Sequence, residues 1–125
     1  MLNKVSTNNA PKAIGPYSQA IIYGNMVYTS GQIALSPETA ALVGDNVTEQ
    51  TEQVMKNLSA VLKEAGSDMK NIIKTTCFLS DIADFAAFNE VYGKYITEAP
   101  ARSCVAAKDL PKGALVEVEV IAYIG

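Results

Sequence analysis

From Asn46 to Gly66 the chain reads as one capped amphipathic helix. Asn46 is an N-cap residue type, Glu49 follows three residues later as in a capping box, and Gly66 ends the run as a C′ glycine. Val47, Thr51, Val54, Leu58, Val61, Leu62 and Ala65 recur at helical spacing, which predicts a helix over 47–65. An apolar stripe of this kind must be buried against another layer. The flanking segments read as strands. Residues 17–23 and 26–33 predict a hairpin with Gly24-Asn25 as a two-residue turn. Residues 34–45, with Pro37 and Gly44, read as loop. Residues 71–80 read as a strand. Asp81 is placed to cap a second helix whose stripe is Ile82, Phe85, Phe88, Tyr92 and Tyr95, and Pro100 closes it. Residues 101–107 and 115–124 read as the last strands around a turn at 109–113, and a short extra strand is expected at 2–6. The order β-β-α-β-α-β-β predicts an α+β fold, a mixed sheet with two helices on one face.

The final strand predicts what each sheet face meets. Val116, Val118, Val120, Ala122 and Ile124 form an all-apolar row for the helices. Leu115, Glu117, Glu119, Ile121 and Tyr123 form a mixed row on the other side. That second row is less polar than a fully solvated face, so another copy of the chain is expected to cover it.

Composition sets further bounds. A chain of 125 residues is expected to form one domain over 1–125. With 49% hydrophobic and 18% charged residues it has the material for a core. Net charge is −3 and no basic run is visible, so nucleic acid is not an expected partner. There is no histidine, which excludes triads, histidine bases and histidine-ligated zinc. Cys77 and Cys104 are far apart, with no CxxC, which fits a reducing compartment. The first residues carry no apolar leader and no apolar run is long enough to span a membrane, so a cytoplasmic location is expected.

Few side chains are suited to chemistry. Arg102 is the only arginine in a chain that otherwise uses lysine, and a guanidinium can hold a carboxylate through two parallel hydrogen bonds. The competing reading is an ion pair with Glu117 or Glu119. Glu117 is expected on a strand beside that of Arg102, where a partly desolvated carboxylate could act as acid or base; a solvated strand face is the plainer alternative. Cys104 shares the Arg102 face on period two. Nothing nearby is built to make a thiolate, so a small residue that lets substrate approach is the better reading. Cys77 reads as core. Asn89 is a poor helix former inside the second helix. Tyr17 follows the rigid Gly15-Pro16, and Ser30-Gly31 interrupts a strand, where glycine often marks a close approach. No phosphate-binding glycine loop occurs.

Several motifs together resemble the RidA (YjgF) family. They are Asn9-Ala10-Pro11, the run Ala13 to Gln19 (AIGPYSQ), Thr29-Ser30-Gly31-Gln32, and Lys74-Thr75-Thr76 ahead of Phe78 and Asp81. The run Pro100 to Val105 (PARSCV), Leu110-Pro111-Lys112 and Val116-Glu117-Val118-Glu119 complete the set, in the family's order along nearly the whole chain. The resemblance implies a chorismate-mutase-like fold (ferredoxin-like β-α-β) and a homotrimer with ligand clefts between subunits. It also implies 2-iminobutanoate/2-iminopropanoate deaminase activity without cofactor or metal. The imines derive from enamines released by pyridoxal-phosphate-dependent dehydratases, and their hydrolysis to 2-oxo acids and ammonia protects other pyridoxal-phosphate enzymes. By the same resemblance Arg102 clamps the substrate carboxylate, Cys104 lends its backbone, Glu117 is associated with the attacking water, and Tyr17, Ser30, Gly31 and Asn89 line the cleft. One departure is the short Thr97–Pro100 segment, with Ala99 where relatives often carry an aromatic residue. The alternatives are a non-catalytic trimeric regulator that binds a small carboxylate, and a ribonuclease, which the acidic charge and missing histidine disfavour.

Overall fold

The helix at the centre of the sequence forms as its caps require. In a computed structural model, which describes residues 2–125, α1 spans Val47–Glu64. Asn46 Oδ1 accepts the Glu49 N–H at 2.9 Å, and Glu49 Oε1 accepts the Asp45 N–H at 2.8 Å, so the box closes one residue before the cap. At the other end the Gly66 N–H donates to Lys63 O and the Ser67 N–H to Leu62 O. Gly66 has φ +84°, the left-handed conformation that such a cap needs. All seven predicted stripe residues are buried, six within α1 and Ala65 at its C-cap.

Six strands make one sheet: β1 (Asn3–Val5), β2 (Ala20–Tyr23), β3 (Met26–Thr29), β4 (Ile72–Leu79), β5 (Ala101–Ala106) and β6 (Val116–Tyr123). Their spatial order is β1-β2-β3-β6-β4-β5. Among the described residues only β4 and β5 pair in parallel; the other pairings are antiparallel. β3 and β4 therefore run the same way with β6 between them. Helix α1 makes the crossover from β3 to β4, and α2 (Phe85–Tyr95) makes the one from β4 to β5. The expected α+β fold, a mixed sheet with both helices against one face, is what the structure shows. The core lies between those layers: Val54, Leu58, Val61 and Leu62 of α1 and Phe88 of α2 meet Val27, Cys77, Leu79, Val116, Val118 and Val120.

Four local expectations are corrected. The strand read at 17–23 starts only at Ala20, because the Gly15-Pro16 turn still bends the chain at Tyr17. The strand read at 26–33 ends at Thr29; Ser30 and Gly31 break the ladder, and Gln32 resumes it in a separate bridge to Val118. Asp81 caps a short 3-10 turn (Ile82–Asp84), not α2, its carboxylate accepting the Ala83 N–H at 2.9 Å. That turn has about three residues per turn and carries its side chains off the 3.6-residue stripe. Ile82 is consequently exposed, at 55%; Phe85, the first residue of α2, is 37% exposed, while Phe88, Val91 and Tyr92 are buried. Finally, β6 does not pair with β5. A parallel crossover sets β5 beside β4 at the sheet edge, and β6 lies on the other side of β4.

The two rows of β6 divide as predicted. Val116, Val118, Val120 and Ala122 are buried beneath the helices. On the opposite face Glu117, Glu119 and Ile121 are half-buried and Tyr123 is exposed. Tyr28 and Val105 extend that face as exposed apolar positions.

Candidate functional site

The predicted site residues fall into two groups. The first surrounds a cavity of about 510 Å³ lined by Tyr17, Ser30, Gly31 and Glu117, with Lys12 and Lys112 among its walls. Glu117 is carried by β6 and lies directly over Gly31. A Cβ on Gly31 would collide with the Glu117 carboxylate group. The glycine read as a site of close approach is thus approached by the chain's own glutamate. Burial pushes the Glu117 carboxyl above the ordinary glutamate range, and the neighbouring Glu119 charge pushes the same way. Ser30 is pinned by its hydroxyl to Ser18 O at 2.5 Å and by its N–H to Gln19 O at 2.9 Å. Tyr17, 52% exposed, stands at the rim.

Arg102 organises the second group. It projects from β5 toward α2, where Nη1 donates to Asn89 Oδ1 at 2.6 Å. The guanidinium carbon lies 4.8 Å from the centroid of the Tyr92 ring and 5.3 Å from that of Phe85. Asn89 is therefore in this helix to meet the arginine, which explains a poor helix former there. Cys104 sits two residues along the same face, in register with Cys77 of β4. Burial raises the Cys104 thiol, against the opposing influence of Arg102, so it is not an activated nucleophile. Cys77 is fully buried and its thiol is raised to about 11, as a core residue requires.

Within one chain the two groups lie on opposite sides of the sheet. Arg102 is in register with Thr75, and Thr75 with Val120, all on the helix-covered face. Glu117 is in register with Phe78, and Phe78 with Val105, on the open face. The alternative of an ion pair between Arg102 and Glu117 or Glu119 therefore fails within the chain. Both glutamates point away from the guanidinium, and β4 intervenes.

Some contributors were not evident from sequence. Gln19 is buried and ties down the N-terminal wall of the cavity. Its amide donates to Thr7 O at 3.0 Å and Pro11 O at 2.8 Å, and its oxygen accepts the Thr7 N–H at 2.7 Å. Asn57 of α1 does the same for the far wall, donating to Ile33 O at 3.1 Å and Leu35 O at 3.0 Å. A buried amide in a stripe of aliphatic residues was the available signal for Asn57. Lys112 enters the cavity from a turn where it adopts φ +57°. Among the described residues no group of histidine, cysteine or acidic side chains is arranged to hold a metal. Nor is any helix among them long and apolar enough to cross a membrane.

Comparison with known proteins places this geometry in a family. A Lactococcus lactis subsp. lactis protein with a regulator's name, AldR, is 54% identical over 121 residues, 96% of each chain. The human protein named 2-iminobutanoate/2-iminopropanoate deaminase is 44% identical over 122 residues, 97% of this chain and 89% of its own. Among solved structures, that of E. coli TdcF with bound serine superposes with a TM-score of 0.93 at 41% identity, covering 98% of this chain and 99% of TdcF. The family model described as Endoribonuclease L-PSP matches residues 7–124. Carrying that match along almost its whole length, the chain belongs to the Endoribonuclease L-PSP family, which includes the RidA proteins.

Proposed function

We propose that this protein hydrolyses small 2-imino acids, with 2-iminobutanoate and 2-iminopropanoate as substrates, in clefts between the subunits of a homotrimer and without a cofactor. The observation that carries this reading is the single guanidinium of Arg102. Two rings and Asn89 steady it, and Glu117 and Glu119, the ion-pair partners considered for it, lie on the other face of the sheet. The identity to the human deaminase and the serine in the TdcF structure support a small amino-acid-like carboxylate as ligand.

In this reading Arg102 takes the substrate carboxylate through paired hydrogen bonds. Glu117 of a neighbouring subunit accepts a proton from water as its oxygen bonds to the imine carbon. It returns that proton to the nitrogen of the carbinolamine; as the C–N bond breaks, the carbinolamine hydroxyl gives up its own proton to the carboxylate, which passes it to the departing amine, so that a 2-oxo acid and ammonia leave. A carboxyl held above its ordinary range suits both halves of that transfer. Tyr17, Ser30, Gly31 and Asn89 shape the cleft, and Cys104 offers a small side chain and its backbone. Removal of these imines protects pyridoxal-phosphate enzymes from the enamines that give rise to them.

The test couples a pyridoxal-phosphate threonine dehydratase to the protein and follows imine decay in a buffer free of amines. Wild type should accelerate decay, and Arg102→Ala should lose roughly 100-fold or more of that acceleration. The second reading, a regulator that binds small carboxylates, is favoured by the AldR name of a 54% identical relative. It gains if wild type binds 2-oxobutanoate yet leaves imine decay unchanged.

A further inference from the structure

We infer that Tyr92, anchored by Thr75, and Phe85 are positioning residues that set the plane of the Arg102 guanidinium. The inference rests on the carboxylate-binding role proposed for Arg102. Arginine loses much rotamer freedom when held, and Arg102 stands on the edge strand of the sheet, with strand β4 on one side alone to brace it. Further bracing comes from α2. Phe85, Asn89 and Tyr92 follow one another at spacings of four and three, so they share one face of that helix, and all three meet the guanidinium.

Tyr92 is itself locked. Its hydroxyl shares a 2.8 Å hydrogen bond with Thr75 Oγ1, and Thr75 is fully buried. Thr75 is also the register partner of Arg102 on β4. Strand, helix and neighbouring strand thus close a loop in which the hydroxyl fixes the ring and the ring face attracts the cation. Asn89 occupies one N–H of the guanidinium fork, which leaves the remaining donors to face a carboxylate in one plane. The rings also remove water from one side of the charge, which strengthens its pull on an incoming anion.

A chain with one arginine allows a direct test, because the guanidinium N–H signals in an NMR spectrum belong to Arg102 alone. Wild type should show guanidinium signals displaced by the ring currents and broadened little by rotation. Phe85→Leu and Tyr92→Leu should each move them toward the values of free arginine, while Tyr92→Phe, which keeps the ring but loses its anchor on Thr75, should fall between wild type and Tyr92→Leu. In imine hydrolysis the leucine variants should raise KM by about 5–30-fold, the range of a partly desolvated cation–π contact, with a smaller change in kcat. Phe85 is partly exposed, so its variant tests the inference even if Tyr92→Leu fails to fold. Arg102 signals that match free arginine in wild type, or that ignore both leucine variants, would overturn the inference. Displaced and variant-sensitive signals in a wild type that neither hydrolyses imine nor binds 2-oxobutanoate would support the clamp and overturn the deaminase reading.

Discussion

Glu117 shows how far one residue's environment can be pushed by its neighbours. Its raised carboxyl comes first from burial and second from Glu119. If Glu117 must be ionised to accept a proton, the acid limb of kcat/KM lies above the ordinary glutamate range. Glu119→Gln should move that limb partly back to lower pH, since burial persists; a pH–rate profile of both proteins measures this. The sign for stability follows from the same shift. The folded state binds this proton more tightly than the unfolded chain, so the group's stabilising contribution declines as pH rises from the unfolded glutamate value through the raised one. Gly31→Ala is the second test at this scale. The new methyl meets the flexible end of Glu117, not backbone, so stability should stay within about 1 kcal/mol of wild type. The displaced carboxylate should lower kcat about 10–100-fold and return the acid limb toward ordinary glutamate values.

At the scale of elements, the segment after β3 is held by α1. Asn57 sits in the buried stripe and satisfies the carbonyls of Ile33 and Leu35, next to the Ser30-Gly31 break. Asn57→Leu should cost about 2–4 kcal/mol in urea unfolding, because two buried carbonyls lose their donor. Activity per folded molecule should fall as well, since that segment walls the cavity. The helix itself was legible: both caps and all seven stripe residues stand where spacing put them. The start of α2 was less so. Asp81 has the signature of a cap, and it caps a turn, but a one-turn 3-10 segment and the first turn of an α-helix share that signature. Strand ends were blurred for a related reason. Ser30-Gly31 marked an interruption between the β-forming Thr29 and Ile33, but only the packing of Glu117 over Gly31 shows that the ladder ends there and does not continue to Ile33.

For the whole molecule, the decisive feature is that Arg102 and Glu117 face opposite sides of the sheet. If both serve one reaction, each site must take Arg102 from one subunit and Glu117 from another. Arg102→Ala and Glu117→Gln should each be inactive alone. Mixed by co-expression or by unfolding and reassembly, they should recover about a quarter of wild-type activity, the share of sites that draw both intact residues under random assembly. No recovery in mixed assemblies of verified composition would place the reaction within one chain. The exposed apolar positions Tyr28, Val105 and Tyr123 on the open face are where such subunits would meet.

Local and periodic information settled the α+β class, the capped central helix, the Gly24-Asn25 hairpin and the two-faced last strand, because caps, turns and alternation act over a few residues. The motifs also singled out Arg102, Glu117 and Gly31. The partners of those residues were decided only in three dimensions. That Asn89, Phe85 and Tyr92 close on Arg102 depends on α2 crossing over between two parallel strands. That Glu117 lies apart from Arg102 depends on β6 inserting between β3 and β4. Strand order is set by which faces can bury together once the helices have folded back, a long-range balance that no stretch of this sequence carries by itself.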